Sequence, residues 1–323
     1  MEYTQLGRSG LRISRLVLGT MNFGVHTEEA EAHRILDTAL DLGINLVDTA
    51  DLYGWPQHPG RTESIIGNWL AQGGGRRERT VLATKVYSYL DGRPGEGGLS
   101  ALHIRRAVEA SLRRLRTDHI DLYQMHHVDR STRWEEIWQA MDVLTAQGKI
   151  TYIGSSNFAG WHLAAAQESA RARGMLGPVS EQSVYNLLER TVELEVAPAA
   201  RHYGVGLLPW SPLHSGLLGG VLRQERAGVR RAVSRAAAAL ASHREQIQEY
   251  EDFAAELGHE PGHVALAWLL ARPAVTAPVV GPRTPDHLHS AVAALDVRLE
   301  PKALTRLDEI FPGPGPAPEA YAW

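Results

Sequence analysis

The chain has 323 residues, no Cys, and 37 acidic against 33 basic residues, for a net charge of −4. Hydrophobic residues at 44% and charged residues at 22% exclude a disordered chain, collagen and a coiled coil. The missing Cys excludes disulfides, thiolate nucleophiles and Cys-held zinc or iron–sulfur sites, and the slightly acidic balance argues against nucleic acid or an anionic membrane as partner.

Residues 1–10 lack the apolar core of a signal peptide. The most apolar stretch, 264–280, is broken by Arg272-Pro273 and is short for a bilayer. The expectation is a soluble, cytoplasmic chain with no membrane span.

In chain order, residues 1–14 carry Gly7 and Ser9-Gly10 between apolar positions, which predicts a short hairpin. Strand-like apolar runs follow at 15–18, 45–48, 81–85, 121–125, 151–154, 179–182, 205–208 and 277–280. Helical patterns lie between them. Residues 28–42 place Ile35, Leu36, Ala39 and Leu40 on one face, with Gly43 as a stop; 102–115 and 134–146 are two more. Residues 223–241 are Arg- and Ala-rich and form either a mobile loop or an added helix after the seventh strand. Residues 312–323 read as a Pro-rich, poorly ordered tail.

Strands alternating with helices predict a parallel sheet with right-handed crossovers. At this length, and without a Gly-rich dinucleotide fingerprint, the expected fold is an α/β (β/α)8 TIM barrel, as one domain over 1–311, preceded by the hairpin.

Active groups in such a barrel gather at the C-terminal strand ends. The second strand ends in Asp48-Thr49-Ala50, with Tyr53 just after it, and the third ends in Lys85. His126-His127, Ser155-Ser156-Asn157 and Glu181-Gln182 end the next three. Trp210-Ser211-Pro212-Leu213 and Gly281-Pro282-Arg283-Thr284 end the last two. Lys85 stands out because Lys149 and Lys302 are the only other lysines in the chain.

Singly, these residues have structural uses: a turn cap for Asp48, a loop aromatic for Tyr53, a snorkelling Lys85, a core histidine for His126. Together at neighbouring strand ends they make a proton-delivery site. A free Tyr has a pKa of ~10 and is a poor acid at neutral pH. An ammonium beside it favours phenolate and lowers that pKa. Asp48 keeps Lys85 charged, and His126 can orient a carbonyl oxygen. That chemistry suits protonating an oxyanion as hydride reaches carbon.

Five segments resemble the aldo-keto reductase superfamily, in its order, over about residues 3–311. They are Leu6-Gly7-Arg8-Ser9-Gly10-Leu11, Leu18-Gly19-Thr20-Met21-Asn22-Phe23-Gly24, Asp48-Thr49-Ala50-Asp51-Leu52-Tyr53-Gly54, Asp121-Leu122-Tyr123-Gln124-Met125-His126 and Trp210-Ser211-Pro212-Leu213. The resemblance implies a barrel that reduces carbonyls with NADP(H) laid across its strand ends. It implies a tetrad of Asp48, Tyr53, Lys85 and His126, with Tyr53 as general acid.

The resemblance also places the cofactor. Ser156, Asn157 and Gln182 would hold the nicotinamide carboxamide, and Trp210 would stack on the ring. Ser211, Pro212, Leu213 and Gly216 would run beside the pyrophosphate, with Thr20, Met21 and Asp48 also in the cofactor set. Gly281, Arg283 and Thr284 would meet the adenosine phosphate, and Arg283 suits a 2′-phosphate. Where the family's last helix often carries Gln, and further on an acidic residue before Asn, this chain has His287, Ser290 and Ala291. Trp55 and His127 would face a small-molecule carbonyl substrate, and no metal is implied.

Two narrower resemblances give alternatives. Gly74-Gly75-Arg76-Arg77, His119-Ile120-Asp121, His126-His127-Val128-Asp129-Arg130 and residues 155–162 resemble a branch that includes nucleotide-deoxysugar 2,3-reductases. The β subunits of voltage-gated potassium channels share the tetrad and the Trp-Ser-Pro-Leu run, which implies a redox-sensing partner protein instead.

Overall fold

The chain opens with an antiparallel hairpin of β1 (Tyr3–Gln5) and β2 (Arg12–Ser14), in which Tyr3 lies opposite Ser14. The computed structural model describes residues 1–88, 93–226, 234–315 and 317. Eight parallel strands follow the hairpin: β3 (Val17–Gly19), β4 (Leu46–Asp48), β5 (Val81–Val86), β6 (Ile120–Met125), β7 (Ile150–Ser156), β8 (Pro178–Gln182), β9 (Gly206–Leu207) and β10 (Val279–Val280). They lie side by side in the order β10-β3-β4-β5-β6-β7-β8-β9. The Thr276 amide donates to the Leu207 carbonyl (2.9 Å) and the Val279 amide to the Pro209 carbonyl (2.8 Å). These bonds join the two outer strands, so the sheet curls into a barrel.

Helices alternate with the strands: α1 (Glu29–Asp41), α2 (Arg61–Leu70), α3 (Ala101–Leu115), α4 (Trp134–Ala146), α5 (Gly160–Arg171) and α6 (Val196–Tyr203). Between β9 and β10 run α7 (Val221–Arg226), α8 (Ser234–Glu256) and α9 (Pro261–Leu270). α10 (Pro285–Ala293) and α11 (Pro301–Ile310) complete the chain. On α1 the face Ile35, Leu36, Ala39 and Leu40 is buried, and Gly43 ends the turn at φ 82°. That left-handed angle is what glycine supplies.

The barrel interior is layered. Side chains two apart on a strand face the same way. Leu46, Ala83 and Leu122 form an apolar layer with Leu6 and Ile13 of the hairpin, both wholly buried. The hairpin is therefore a plug at the N-terminal end. Two residues further along the same strands stand Asp48, Lys85 and Gln124, and the filling turns polar.

Each strand expected from the sequence is present. β3 starts later than expected because the Arg15 amide donates to the Glu2 carbonyl before the hairpin (3.0 Å), while its guanidinium donates to the carbonyls of Leu270 (3.0 Å) and Thr276 (2.9 Å). The Arg- and Ala-rich segment is helical where described, as α7 and the start of α8, and 227–233 lie outside the described residues. Of the expected tail, 312–315 have no regular structure, and 316 and 318–323 lie outside the described residues. Among the described residues no helix is long and apolar enough to cross a membrane.

Candidate active site

Lys85 is wholly buried, and its ammonium uses all three of its protons. It donates to Asp48 Oδ2 (2.7 Å), the Thr49 carbonyl (2.9 Å) and the Tyr53 hydroxyl oxygen (3.1 Å). Asp48, 2% exposed, accepts two more bonds at Oδ1, from Gln124 Nε2 and Gln182 Nε2, each at 2.9 Å. A buried ion pair is tolerable when its remaining lone pairs and protons are satisfied, as here. Gly154 makes room for this network: a Cβ there would come within 2.9 Å of Gln124 Cγ and 2.6 Å of Ser180 Oγ.

Tyr53 rides on a turn closed by its own amide donating to the Ala50 carbonyl (3.2 Å). From the sequence, Lys85 is expected to bring the Tyr53 pKa below its ordinary value. The net sign is the opposite. Burial pushes the phenol up, and Lys85, the largest opposing influence, does not offset it. Tyr53 is therefore protonated throughout the neutral range. Because the ammonium occupies a lone pair of the phenol oxygen, the phenol proton points away from Lys85.

The His126 ring lies 6.1 Å from that of Tyr53, edge to face. Burial, Lys85 and His127 hold its pKa well below the usual imidazole range, so it is neutral at pH 7. Its Nδ1 is buried with no hydrogen-bond partner among the described residues. His127 stacks on His126 at 5.0 Å and meets Tyr87 edge-on at 5.2 Å. Trp55, 60% exposed, stands just past the Tyr53 turn.

A second set of residues meets beside the tetrad. Ser156 Oγ donates to the Gln182 carbonyl (2.7 Å). Asn157, at φ 59°, donates from Nδ2 to Ser156 Oγ (3.0 Å) and to the His126 carbonyl (3.1 Å). Its Oδ1 accepts from Trp210 Nε1 (3.2 Å), and Trp210 is 38% exposed. Thr20 Oγ1 donates to the Asp48 carbonyl (2.8 Å), while Met21 is exposed. After Trp210, residues Ser211, His214, Ser215 and Gly216 all have positive φ, between 45° and 93°. Such backbone strain in non-glycine residues clusters at ligand-binding loops. Pro212 and Leu213 lie within that loop.

At the end of β10, Gly281 accepts at its carbonyl from Asn22 Nδ2 (2.9 Å). Thr284 caps α10 by accepting the His287 amide at Oγ1 (3.4 Å), and the Arg283 amide donates to His287 Nδ1 (3.4 Å). Ser290 pairs with His263 on α9 (3.0 Å), while Ala291 is buried in the core.

Sequence reasoning missed Gln124. The one sequence signal was its place two residues before His126, which puts both on one face of the strand; its position opposite Lys85 comes from the β5–β6 register. It also missed the functional geometry of two segments that resemble nucleotide-sugar enzymes. Gly74-Gly75-Arg76-Arg77 and His119-Ile120-Asp121 precede β5 and enter β6, at the plugged end of the barrel. There Arg77 ion-pairs with Asp121 (2.9 Å) and donates to the Thr80 and His119 carbonyls, a structural latch.

Comparison with known proteins gives a consistent result. The family model described as Aldo/keto reductase family matches residues 15–311. The chain is 55% identical over 328 residues, covering all of both chains, to an uncharacterized oxidoreductase, YrpG, of Bacillus subtilis. It is 35% identical to a versiconal hemiacetal acetate reductase of Aspergillus parasiticus, over 96% of this chain and 97% of that one. It is 32% identical to a probable voltage-gated potassium channel subunit beta of Arabidopsis thaliana, over 99% of this chain and all of that one.

Proposed function

We propose, from the premise that this chain belongs to the aldo/keto reductase family, that it reduces an aldehyde or ketone to an alcohol with NADPH. It is an oxidoreductase of that family. The observation that carries the finer reading is the Lys85 ammonium, saturated by Asp48, Thr49 and Tyr53, with the Tyr53 proton left free for a substrate.

Bound at these strand ends, the cofactor supplies the hydride that becomes the new C–H of the alcohol. Tyr53 gives its proton to the carbonyl oxygen as negative charge builds there. Lys85 stabilises the phenolate left behind, and Asp48 keeps Lys85 charged. His126, neutral, orients the carbonyl oxygen. Trp55 and His127 border the approach to Tyr53.

The residues fit a dinucleotide phosphate. Trp210 offers a partly open aromatic face beside the Ser156, Asn157 and Gln182 corner. The Arg283 side chain is exposed and makes no ion pair among the described residues, at the amide end of α10. We assign the carboxamide to Ser156, Asn157 and Gln182, the pyrophosphate to 211–216, and the 2′-phosphate to Arg283, Thr284 and His287.

Steady NADPH oxidation across small aldehydes, ketones and a nucleotide-linked 4-keto-sugar tests the activity. Turnover of simple carbonyls supports the reading. Tight cofactor binding without turnover would favour the β-subunit-like alternative instead. The segments at Arg77 and Asp121 form a latch away from the Tyr53 end, while 126–130 and 155–162 stand at that end, so the substrate panel separates simple carbonyls from the nucleotide-linked sugar.

Two cofactor predictions follow from named groups. Arg283→Ala should raise the NADPH dissociation constant about tenfold to a hundredfold, the worth of a charge-assisted hydrogen bond. NADH, lacking the 2′-phosphate, should bind as before; equal weakening of both would make Arg283 a loop support. Trp210 fluorescence should be quenched by NADPH, and Trp210→Phe should lose that component. Identical quenching in both proteins would remove Trp210 from the ring-stacking role.

A further inference from the structure

One buried carboxyl beside the tetrad takes no part in the steps above. Asp51 stands between Asp48 and Tyr53 in the turn that leaves β4, 1% exposed, and its amide donates to the Lys85 carbonyl (3.2 Å). Its side chain meets the layer between barrel and helices. There α2 brings Glu63 and α3 brings Arg114. Thr84 of β5 and Tyr123 of β6 face the same layer, since their strand neighbours Lys85 and Gln124 point into the barrel.

Glu63 is wholly buried and engaged at both oxygens: Oε1 accepts from Thr84 Oγ1 (2.6 Å) and Oε2 from Arg114 Nε (2.6 Å). Arg114 also runs under Gly60, where a Cβ would come within 2.6 Å of its Cδ and Nε. The cluster therefore underlies both ends of the turn from Asp51 to Gly60. Two carboxyls share one guanidinium here, and Glu63 holds it. Neither Asp51 oxygen makes a hydrogen bond of good geometry among the described residues, and the Ser88 hydroxyl and the Tyr87 amide are the donors beside it. Buried carboxyls that share a site do not both ionise readily. With Glu63 and Arg114 paired, the cluster is neutral when Asp51 is protonated and carries one negative charge when it is not. That charge reaches the tetrad: Asp51 is among the groups that push the Tyr53 phenol up.

We propose that Asp51 is a positioning residue acting through Tyr53: uncharged, it leaves the phenol free to release its proton to the substrate, and ionised, it sets a negative charge behind the phenol and slows carbonyl reduction. The inference rests on the reading of Tyr53 as general acid. A negative charge nearby disfavours the phenolate that proton transfer leaves behind.

Burial, helped by Glu63, pushes the Asp51 carboxyl up to about 7, against Ser88, Arg114 and Tyr87. Tyr53 and Lys85 titrate above their ordinary values and His126 well below its own, so none of these three changes charge near neutrality. His127 is also held below its usual range by burial. The titratable and charged groups that face Asp51 are Glu63, Arg114, Tyr53 and Tyr123, which burial keeps protonated, while Tyr87 turns its ring to His127. Inside the barrel Lys85 and Asp48 offset each other. Among the described residues the other carboxyl raised by burial is Glu181, at about 6. It lies four strands away on β8, where it accepts from Ser155 Oγ, Ser183 Oγ and the Phe158 amide.

The test is the single-turnover rate of hydride transfer from pH 6 to pH 9, with NADPH and a small aldehyde both saturating. Wild type should slow by about threefold to tenfold across a step centred near pH 7, the effect of one unit charge at partly buried separations. Asp51→Asn keeps the shape and removes the charge, so it should hold the acid-side rate throughout, with no step. Glu181→Gln should keep the step. A step that survives in Asp51→Asn overturns the proposal, and so does its loss in Glu181→Gln. A wild-type rate that is flat over this range overturns it while leaving the acid role of Tyr53 intact. A wild type that reduces no carbonyl overturns both. Should Asp51→Asn fail to fold, the wild-type and Glu181→Gln profiles carry the test: both must show the step, and a flat profile in either overturns the proposal.

Discussion

Tyr53→Phe is expected to leave the fold and NADPH affinity nearly intact and to lower carbonyl reduction by about 10²–10⁴-fold, the usual worth of a general acid. The substitution removes one hydroxyl whose described hydrogen bond is the 3.1 Å contact from Lys85. Lys85 keeps Asp48 Oδ2 and the Thr49 carbonyl, so the buried cation stays satisfied. The loss should fall on kcat rather than on cofactor binding, because the proton moves only in the transition state. His126 is a poor substitute: it is neutral across the working range, so the proton it could give is an imidazole N–H, far less acidic than a phenol. Single-turnover rates and cofactor titrations on the same variant separate the two effects. A variant retaining more than about a tenth of the rate, far short of the expected loss, would take the acid role away from Tyr53.

The residues of this site were readable from the sequence to the extent that they broke a pattern. Asp48, Lys85 and His126 are charged or titratable side chains at the ends of apolar strands, and the structure brings them together. Gln124 broke the pattern less, since an amide in a strand passes as an ordinary polar residue. Only its register opposite Lys85 makes it a ligand of Asp48. Glu181 was visible as a strand-end residue, yet its donors were not. They depend on the register shift between Ile153 and Gly154, which sets Ser155 across from Glu181 rather than one residue away. No local pattern in either strand announces such a shift.

The acidity of Tyr53 was misjudged for a related reason. The partner was identified, but the depth of burial was not, and burial outweighs the ammonium. At the level of the fold, strand order followed from the alternation of elements. The hairpin's role as a plug did not, because Leu6 and Ile13 find their partners only once the barrel has closed.

Lys85→Met should be the most damaging of the tetrad substitutions, because it combines a loss of stability with a loss of rate. It leaves Asp48, 2% exposed, with two amide donors and no cation. Breaking a buried pair from one side costs about 3–5 kcal/mol. The pKa of Lys85 is raised in the fold: burial pulls it down, but Asp48 and Tyr53 more than offset that pull. The stabilisation it gives is therefore complete below the ordinary lysine value and is lost only as pH rises through the higher folded value. The damage will thus show in full at neutral pH. On the chemical side, the phenol oxygen loses its donor, so the phenolate formed by proton transfer is no longer stabilised and the rate falls. Reduction requires protonated Tyr53, so its alkaline limb marks the loss of that proton. Because burial raises the Tyr53 pKa, the limb should lie above the ordinary phenol value in wild type and move higher still in Lys85→Met, since the ammonium that favours phenolate is gone. The double variant Asp48→Asn/Lys85→Met removes both charges together. It should recover much of the thermal stability and none of the activity. Melting curves and pH–rate profiles on the three proteins decide the matter: an alkaline limb unmoved in Lys85→Met would show that the ammonium holds Asp48 in place and does nothing for Tyr53.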